Sequence, residues 1–328
     1  MTPGIQLEIL DLRHFTAALL RPLLEAEGRV WQERLHWDYR SSAKLLMQYL
    51  EGRMLPGYAA LDAGQVLGYG FCVYEESKAV IGDVFATTPA GGADDTEDAS
   101  AEIEDTLLEH ILETLQHSPN VDRIESQLLL HRTGRHSRVF RDGGFEVYRR
   151  FFMVQPLEHL DHDPQSSTIS EVELRQWRDE DLNAAGQLIS HAYEEHPDSL
   201  INDQYRSAQG SLRFLHNIVR YSGCGVFSPH ASHVVVDRST HELAALVLGS
   251  RVSPQSGHIT QLCVHPKFRR QGLARKLLLV AAAHLLSQGV SEISLTVTEA
   301  NGQAIELYKS EGYECVHTFD AAVWERQG

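Results

Sequence analysis

The stretch His258-Ile-Thr-Gln-Leu-Cys-Val264-His-Pro-Lys-Phe-Arg269-Arg-Gln-Gly272-Leu-Ala274-Arg-Lys276 decides how the rest of the chain is read. His258–Val264 is rich in apolar and β-branched residues and predicts a strand. Pro266 ends it, because proline cannot donate to a ladder and disfavours helix in the residue before it. From Arg270 to Ser287 the apolar residues Leu273, Leu277, Val280, Ala281 and Leu285 recur at helical spacing. A helix start offers unsatisfied N–H groups and the positive end of the dipole. Gly272 and Ala274 keep the side chains there short, and Arg269, Arg270 and Arg275 add positive charge. The junction therefore predicts a pyrophosphate cradle. It is neither G-x-G-x-x-G nor G-x-x-x-x-G-K-[ST], so dinucleotide-binding and P-loop readings fail.

Working outward, an apolar strand over Glu242–Val252 precedes this stretch and another over Glu292–Thr298 follows it. Next comes Asn301-Gly-Gln-Ala304-Ile-Glu-Leu307-Tyr308-Lys-Ser-Glu-Gly312-Tyr313. Val264-x-Pro266-x-x-Arg269-x-x-Gly272-x-Ala274 resembles the acetyl-CoA signature of the GNAT N-acetyltransferases. The Asn301–Tyr313 segment is similar to that family's second hallmark, N-x-x-A-x-x-L-Y-x-x-x-G-[FY]. The resemblance is clear over residues 170–328. It implies an α/β fold with a mixed, mostly antiparallel sheet flanked by helices, and direct transfer of an acetyl group from acetyl-CoA to a primary amine. By the same resemblance, backbone groups of Leu262, Cys263 and Val264 meet the pantetheine arm. Arg269, Arg270, Gln271, Gly272, Leu273, Ala274 and Arg275 surround the pyrophosphate, Asn301 contacts the cosubstrate, and Tyr308 protonates the leaving thiolate. Without the resemblance, Tyr308 reads as an aromatic on the apolar helix face it shares with Ala304 and Leu307.

The proton acceptor has several candidates. His258 falls near a position where some family members hold a carboxylate, and an imidazole titrating near neutrality suits the task. Glu299, just beyond the next strand, is a second candidate, and a water chain is a third. Cys263 lacks a partner placed to activate it and reads as a small apolar strand residue.

The first half repeats the plan. Val139-Phe-Arg-Asp-Gly-Gly-Phe145 matches Leu307-Tyr-Lys-Ser-Glu-Gly-Tyr313 at an offset of 168 positions. Strands over Val66–Val73 and Val80–Ala86, a helix over Ala101–Gln116 and a strand over Arg123–Leu130 precede it in the same order. Each half also opens on a short strand, Leu7–Leu12 or Val172–Trp177. Helices follow it, at Phe15–Glu27 and Ala43–Glu51 in one half and at about 182–196 and Gln204–Tyr221 in the other. The expected organisation is a GNAT-like domain over 1–156, a polar, proline-punctuated linker over 157–170, and an acetyl-CoA-binding GNAT domain over 171–328. Where the second half has arginines and Gly272, the first has seven carboxylates between Thr87 and Asp105 and no basic residue. Phe140 stands in the place of Tyr308. Both features mark the first half as degenerate. Its Trp31, His36, Trp37 and Tyr39 line a substrate cleft or simply pack.

Composition bounds the rest. With 42% hydrophobic and 23% charged residues the chain has ample core for a globular protein. A net charge of −16 argues against nucleic acid or an anionic membrane as partner and leans toward a cationic small-molecule or peptide amine. The four cysteines are scattered without a C-x-x-C pair, as expected of reduced thiols in the cytoplasm. His230 and His233 have the nearest thing to ligand spacing, with no companions, so no metal site is expected. Two other readings stay open: an acetyl-CoA-binding sensor without catalysis, and an acyltransferase of the mycothiol-synthase type.

Overall fold

The computed structural model describes residues 7–88, 97–158, 171–220 and 225–327. Gly91-Gly92, the acidic residues 94–95, the linker from 159 to 170, Tyr221 and Cys224 lie outside them. The chain forms two compact units. One comprises Met1–Leu35, Tyr39–Arg149 and Thr318–Gly328, the other His36–Asp38 and Arg150–His317.

The elements in chain order are β1 (Glu8–Asp11), α1 (Ala17–Leu35), α2 (Arg40–Glu51), β2 (Gly57–Asp62), β3 (Gln65–Glu75), β4 (Lys78–Ala86), α3 (Glu97–His117), β5 (Arg123–Gln127), α4 (Ser137–Asp142) and β6 (Glu146–Pro156). In the first unit β1 to β4 form an antiparallel meander. The crossover through α3 makes β4 and β5 parallel, as a strand–helix–strand connection requires. The apolar stripe of α3 (Ile103, Leu107, Leu108, Ile111, Leu112 and Leu115) packs on Leu67, Ile81, Val84 and Ile124.

The chain continues with β7 (Val172–Gln176), α5 (Leu182–Ala192), the single turn α6 (Asp198–Ile201), α7 (Ala208–Arg220), β8 (Val226–Phe227), β9 (His233–Asp237), β10 (Leu243–Arg251) and β11 (Ser256–Val264). Then follow α8 (Leu273–Ser287), β12 (Glu292–Thr298), α9 (Gly302–Ser310) and β13 (Glu314–Glu325). The second unit repeats the plan, with β7, β9, β10 and β11 antiparallel and β11 parallel to β12 through α8. Alternation along β10 places Ala245 and Val247 under α8, and Leu246 and Leu248 under α5 and α7.

The last strand of each unit comes from elsewhere in the sequence. Arg150–Pro156 pairs antiparallel with β12 in the second unit. Ala321–Glu325 pairs antiparallel with β5 in the first. Leu157, read as the start of the linker, is fully buried and donates its N–H to Ser291 O. The expected helix from Arg270 begins at Leu273 instead, because Arg270 and Gly272 both have positive φ. The helix expected from Gln204 begins at Ala208, after a short turn over Asp203–Arg206.

The aromatic group near residue 37 divides between the two cores. Trp31 stacks on Tyr39 at 5.5 Å in the first unit. Trp37, assigned to the second, meets His258 edge-on at 5.0 Å and Phe152 at 6.2 Å.

Candidate acyl-transfer site

The second unit builds its site where two strands part. β11 and β12 are in register from Ser256↔Glu292 to Ile259↔Leu295, and the pairing stops there. Beyond that point β11 stays paired with β10, with a register shift at Leu248/Gly249. His265 donates its N–H to Ala244 O. Since backbone groups alternate along a strand, those of Leu262 and Val264 face the gap left by β12, while those of Cys263 face β10. Cys263 is buried, and burial pushes its thiol up to about 12, which keeps it uncharged. A neutral, enclosed thiol is a packing residue, as its place in the strand suggests.

The start of α8 lies at the same end of β11. Gly272 is the helix N-cap with φ +76°, and a side chain built there would meet no atom within 4 Å. The backbone at the helix start is thus open on the side where a side chain at Gly272 would lie. Arg270 and Gln271 are exposed beside it, Leu273 turns into the core and Ala274 is half-buried. The other two arginines have structural partners. Arg269 donates to Ala192 O at 2.7 Å and to Val264 O at 3.3 Å, tying the end of α5 to the end of β11. Arg275 pairs with Glu311 at 2.8 Å, fastening α8 to the end of α9.

On the far side of the gap, Asn301 caps α9 by accepting the Ala304 N–H at 3.2 Å, and its Nδ2 lies 3.2 Å from His196 Nε2. Tyr308, on α9, is 8% exposed. Burial first, and then the charge of Asp198, push its phenol well above the usual tyrosine range, while Arg150 pulls the other way. A hydroxyl in that environment stays protonated at neutral pH. Asp198 accepts a hydrogen bond from Thr298 at the end of β12, and its carboxylate stands 3.9 Å from His196 Nδ1. Tyr193 and Tyr205 stack at 4.3 Å beside them.

His258 sits elsewhere. It is buried on β11 within the paired stretch, 2.9 Å from Ser294 Oγ and stacked on Phe152. Burial, then the Arg150 guanidinium, push its imidazolium down to about 3. Glu299 is exposed just past β12. His230 bonds to Gln176 at 3.2 Å, whereas His233 faces His284 with ring centroids 4.8 Å apart, so the two do not converge.

Three residues at this site escape sequence reading: Arg150, His196 and Asp198. Arg150 lies on β6, which alternates too weakly to stand out. His196 and Asp198 lie in a polar loop whose spacing carries no signal.

This geometry, a splayed parallel pair beside an open helix start, defines a class. Residues 174–313 match the Acetyltransferase (GNAT) family and form a GNAT domain. The whole chain has the fold of solved GNAT structures. It superimposes with a TM-score of 0.63 on a GCN5-related N-acetyltransferase from Sphaerobacter thermophilus, covering 100% of this chain and 98% of that one at 16% identity. It superimposes with a TM-score of 0.58 on a tandem GNAT protein from the clavulanic acid biosynthesis pathway, covering 98% and 99% at 15% identity. Among curated proteins it is similar to mycothiol acetyltransferase from Thermobispora bispora, 42% identical over 57 residues. That match spans 17% of this chain and 19% of the relative's length. None of the described helices is long and apolar enough to cross a membrane.

Proposed function

We propose that the second unit is an N-acetyltransferase that passes an acetyl group from acetyl-CoA directly to a primary amine. The observation that carries this reading is the gap between β11 and β12 leading to the open, positive-φ Gly272. An unpaired backbone edge on β11 followed in the chain by the start of α8 suits a pantetheine arm ending in a pyrophosphate. Acetyl-CoA supplies the activated thioester; the chain supplies position and proton control.

The backbone groups of Leu262 and Val264 hold the arm, and the N–H groups following Gly272 hold the phosphates. Tyr308 gives its phenolic proton to sulfur as the C–S bond breaks. The nearby guanidinium of Arg150 stabilises the negative charge passing between sulfur and phenolate. The attacking amine must lose a proton, and His196 is the acceptor the geometry favours. It is partly exposed at the Tyr308 end of the gap. Burial first, with Arg269 opposing the Asp198 carboxylate 3.9 Å from its Nδ1, holds its imidazolium below the ordinary histidine range, so the ring is unprotonated at neutral pH. His258 is a poor acceptor where it lies, because burial first, and then Arg150, oppose its protonation.

Tyr308→Phe keeps the ring and removes the proton. General-acid catalysis is worth roughly 10²–10⁴-fold, so kcat should fall in that range with acetyl-CoA affinity little changed. His196→Ala should lower kcat most at neutral pH and above, where the imidazole is unprotonated and able to accept, and should leave binding intact. A screen of amines with free-thiol detection gives both readouts. Full turnover by the Tyr308→Phe enzyme, with chemistry rate-limiting, would remove Tyr308 from the mechanism. Binding of acetyl-CoA with no turnover of any amine would favour a sensor. The similarity to a mycothiol acetyltransferase supports including amino-sugar conjugates of cysteine in the screen.

A further inference from the structure

In the first unit β4 and β5 also part, after Ile81↔Ser126. The space beside that opening holds Glu104 of α3 with His131 and His136 of the loop after β5. All three are buried, and their donor atoms lie within 4.8 Å of one another. His131 Nδ1 is 3.8 Å and His136 Nε2 is 3.7 Å from Glu104 Oε2.

The outer partners set which atoms face inward. His131 Nε2 donates to Val84 O at 2.7 Å, which leaves Nδ1 as a lone pair. His136 Nδ1 lies 2.8 Å from Asp105 Oδ1; donating there leaves Nε2 as a lone pair. That Nε2 is buried and has no hydrogen-bond partner among the described residues. Glu104 Oε1 accepts the Ala86 N–H at 3.2 Å, and Oε2, the oxygen nearest the two imidazoles, accepts from Arg135 at 2.9 and 3.1 Å, a guanidinium that a metal ion would have to share or displace. Two bare imidazole nitrogens and one carboxylate oxygen thus face a common point, each oriented by an outer hydrogen bond. A histidine held by carboxylate or carbonyl on its far nitrogen is the usual outer arrangement of a metal ligand.

The geometry points to a divalent transition-metal site, with zinc the best match, made by Glu104, His131 and His136. Zinc bonds of about 2.0–2.1 Å place tetrahedral ligand atoms roughly 3.3–3.4 Å apart, so the two Glu104–histidine pairs need to close by about 0.5 Å or less and the widest pair by up to about 1.4 Å. Two imidazoles and one carboxylate, with no thiolate, suit zinc or cobalt better than magnesium or calcium. Glu104 and His131 also line a cavity of about 500 Å³ with Ser100, Arg132 and Arg135, which leaves a fourth position for water or a small ligand. Residue spacing does not signal the cluster, because Glu104 lies on α3 and the two histidines follow β5.

The test uses the full untagged chain, stripped with a chelator and titrated with Co²⁺, then Zn²⁺. One equivalent of cobalt should give visible d–d bands that zinc abolishes. His136→Ala should remove this binding while the far-UV spectrum stays that of the parent. Asp105→Asn keeps all three ligands and loosens only the outer hold on His136, so affinity should drop about 10–100-fold. This variant carries the test if a ligand variant fails to fold. A titration without cobalt bands, or binding undiminished in both variants, would overturn the assignment, leaving a proton or the Arg135 charge to balance Glu104.

Discussion

His258 illustrates how one residue type supports opposite roles depending on its surroundings. On an exposed strand end it would titrate near neutrality; enclosed between Phe152, Trp37 and Ser294, with Arg150 close by, its folded pKa drops to about 3. The unfolded chain then binds the proton between about pH 6.5 and 3 and the folded chain does not. Stability is therefore fully present above about pH 6.5 and is lost as pH falls toward 3, at up to about 1.4 kcal/mol per pH unit. His258→Gln cannot titrate and should flatten this acid limb, as read from urea midpoints at pH 4 and 7. An unchanged limb would mean that another group dominates it. Sequence alone could place His258 on its strand but not beside Arg150, because that arginine arrives on a strand from the other half of the chain.

At the level of elements, strands and helices with strong patterns were legible and weakly patterned ones were not. Glu292–Thr298 is a strand with the bounds its apolar run predicts. Strands β2, β6, β9 and β13 carry no turn or motif that singles them out, although β9 contains three successive valines. The start of α8 was legible in kind. Its glycine and arginines were visible, but two of the three arginines serve as ties to Ala192 and Glu311. Charge at this helix start thus comes mainly from the backbone and Arg270. Gly272 tests that view. Gly272→Ala meets no neighbour and costs only the left-handed backbone, roughly 1–2 kcal/mol, so acetyl-CoA affinity should hold in the folded fraction. Gly272→Glu adds the same strain plus a carboxylate facing the phosphates, and affinity should fall at least tenfold, about 1.4 kcal/mol. Calorimetry on both variants decides; equal affinities would place the phosphate site elsewhere.

Across the whole molecule, the repeat of the plan was legible and the exchange of end strands was not. Motif matching aligns residues 139–145 with 307–313, yet it cannot reveal that Arg150–Pro156 and Ala321–Glu325 complete units remote in sequence. Phe319, Ala321 and Ala322 are buried in the first unit, and Phe152 and Met153 in the second. Fragments 1–158 and 171–328 should therefore each fold poorly, each lacking an edge strand and exposing its neighbour. Mixed together, they should regain the helix and sheet content of the intact chain. Circular dichroism and sedimentation of the separate fragments would show this, and two independently stable, monomeric fragments would contradict it.

The exchange also orders events in time. A ribosome releases the first unit's meander and α3 long before it makes residues 318–325, so that sheet must wait with β5 uncovered while about 190 further residues are added. A domain that is first to be translated is here last to be finished. Synthesis halted anywhere short of the final strand leaves a sticky β edge rather than a smaller working protein.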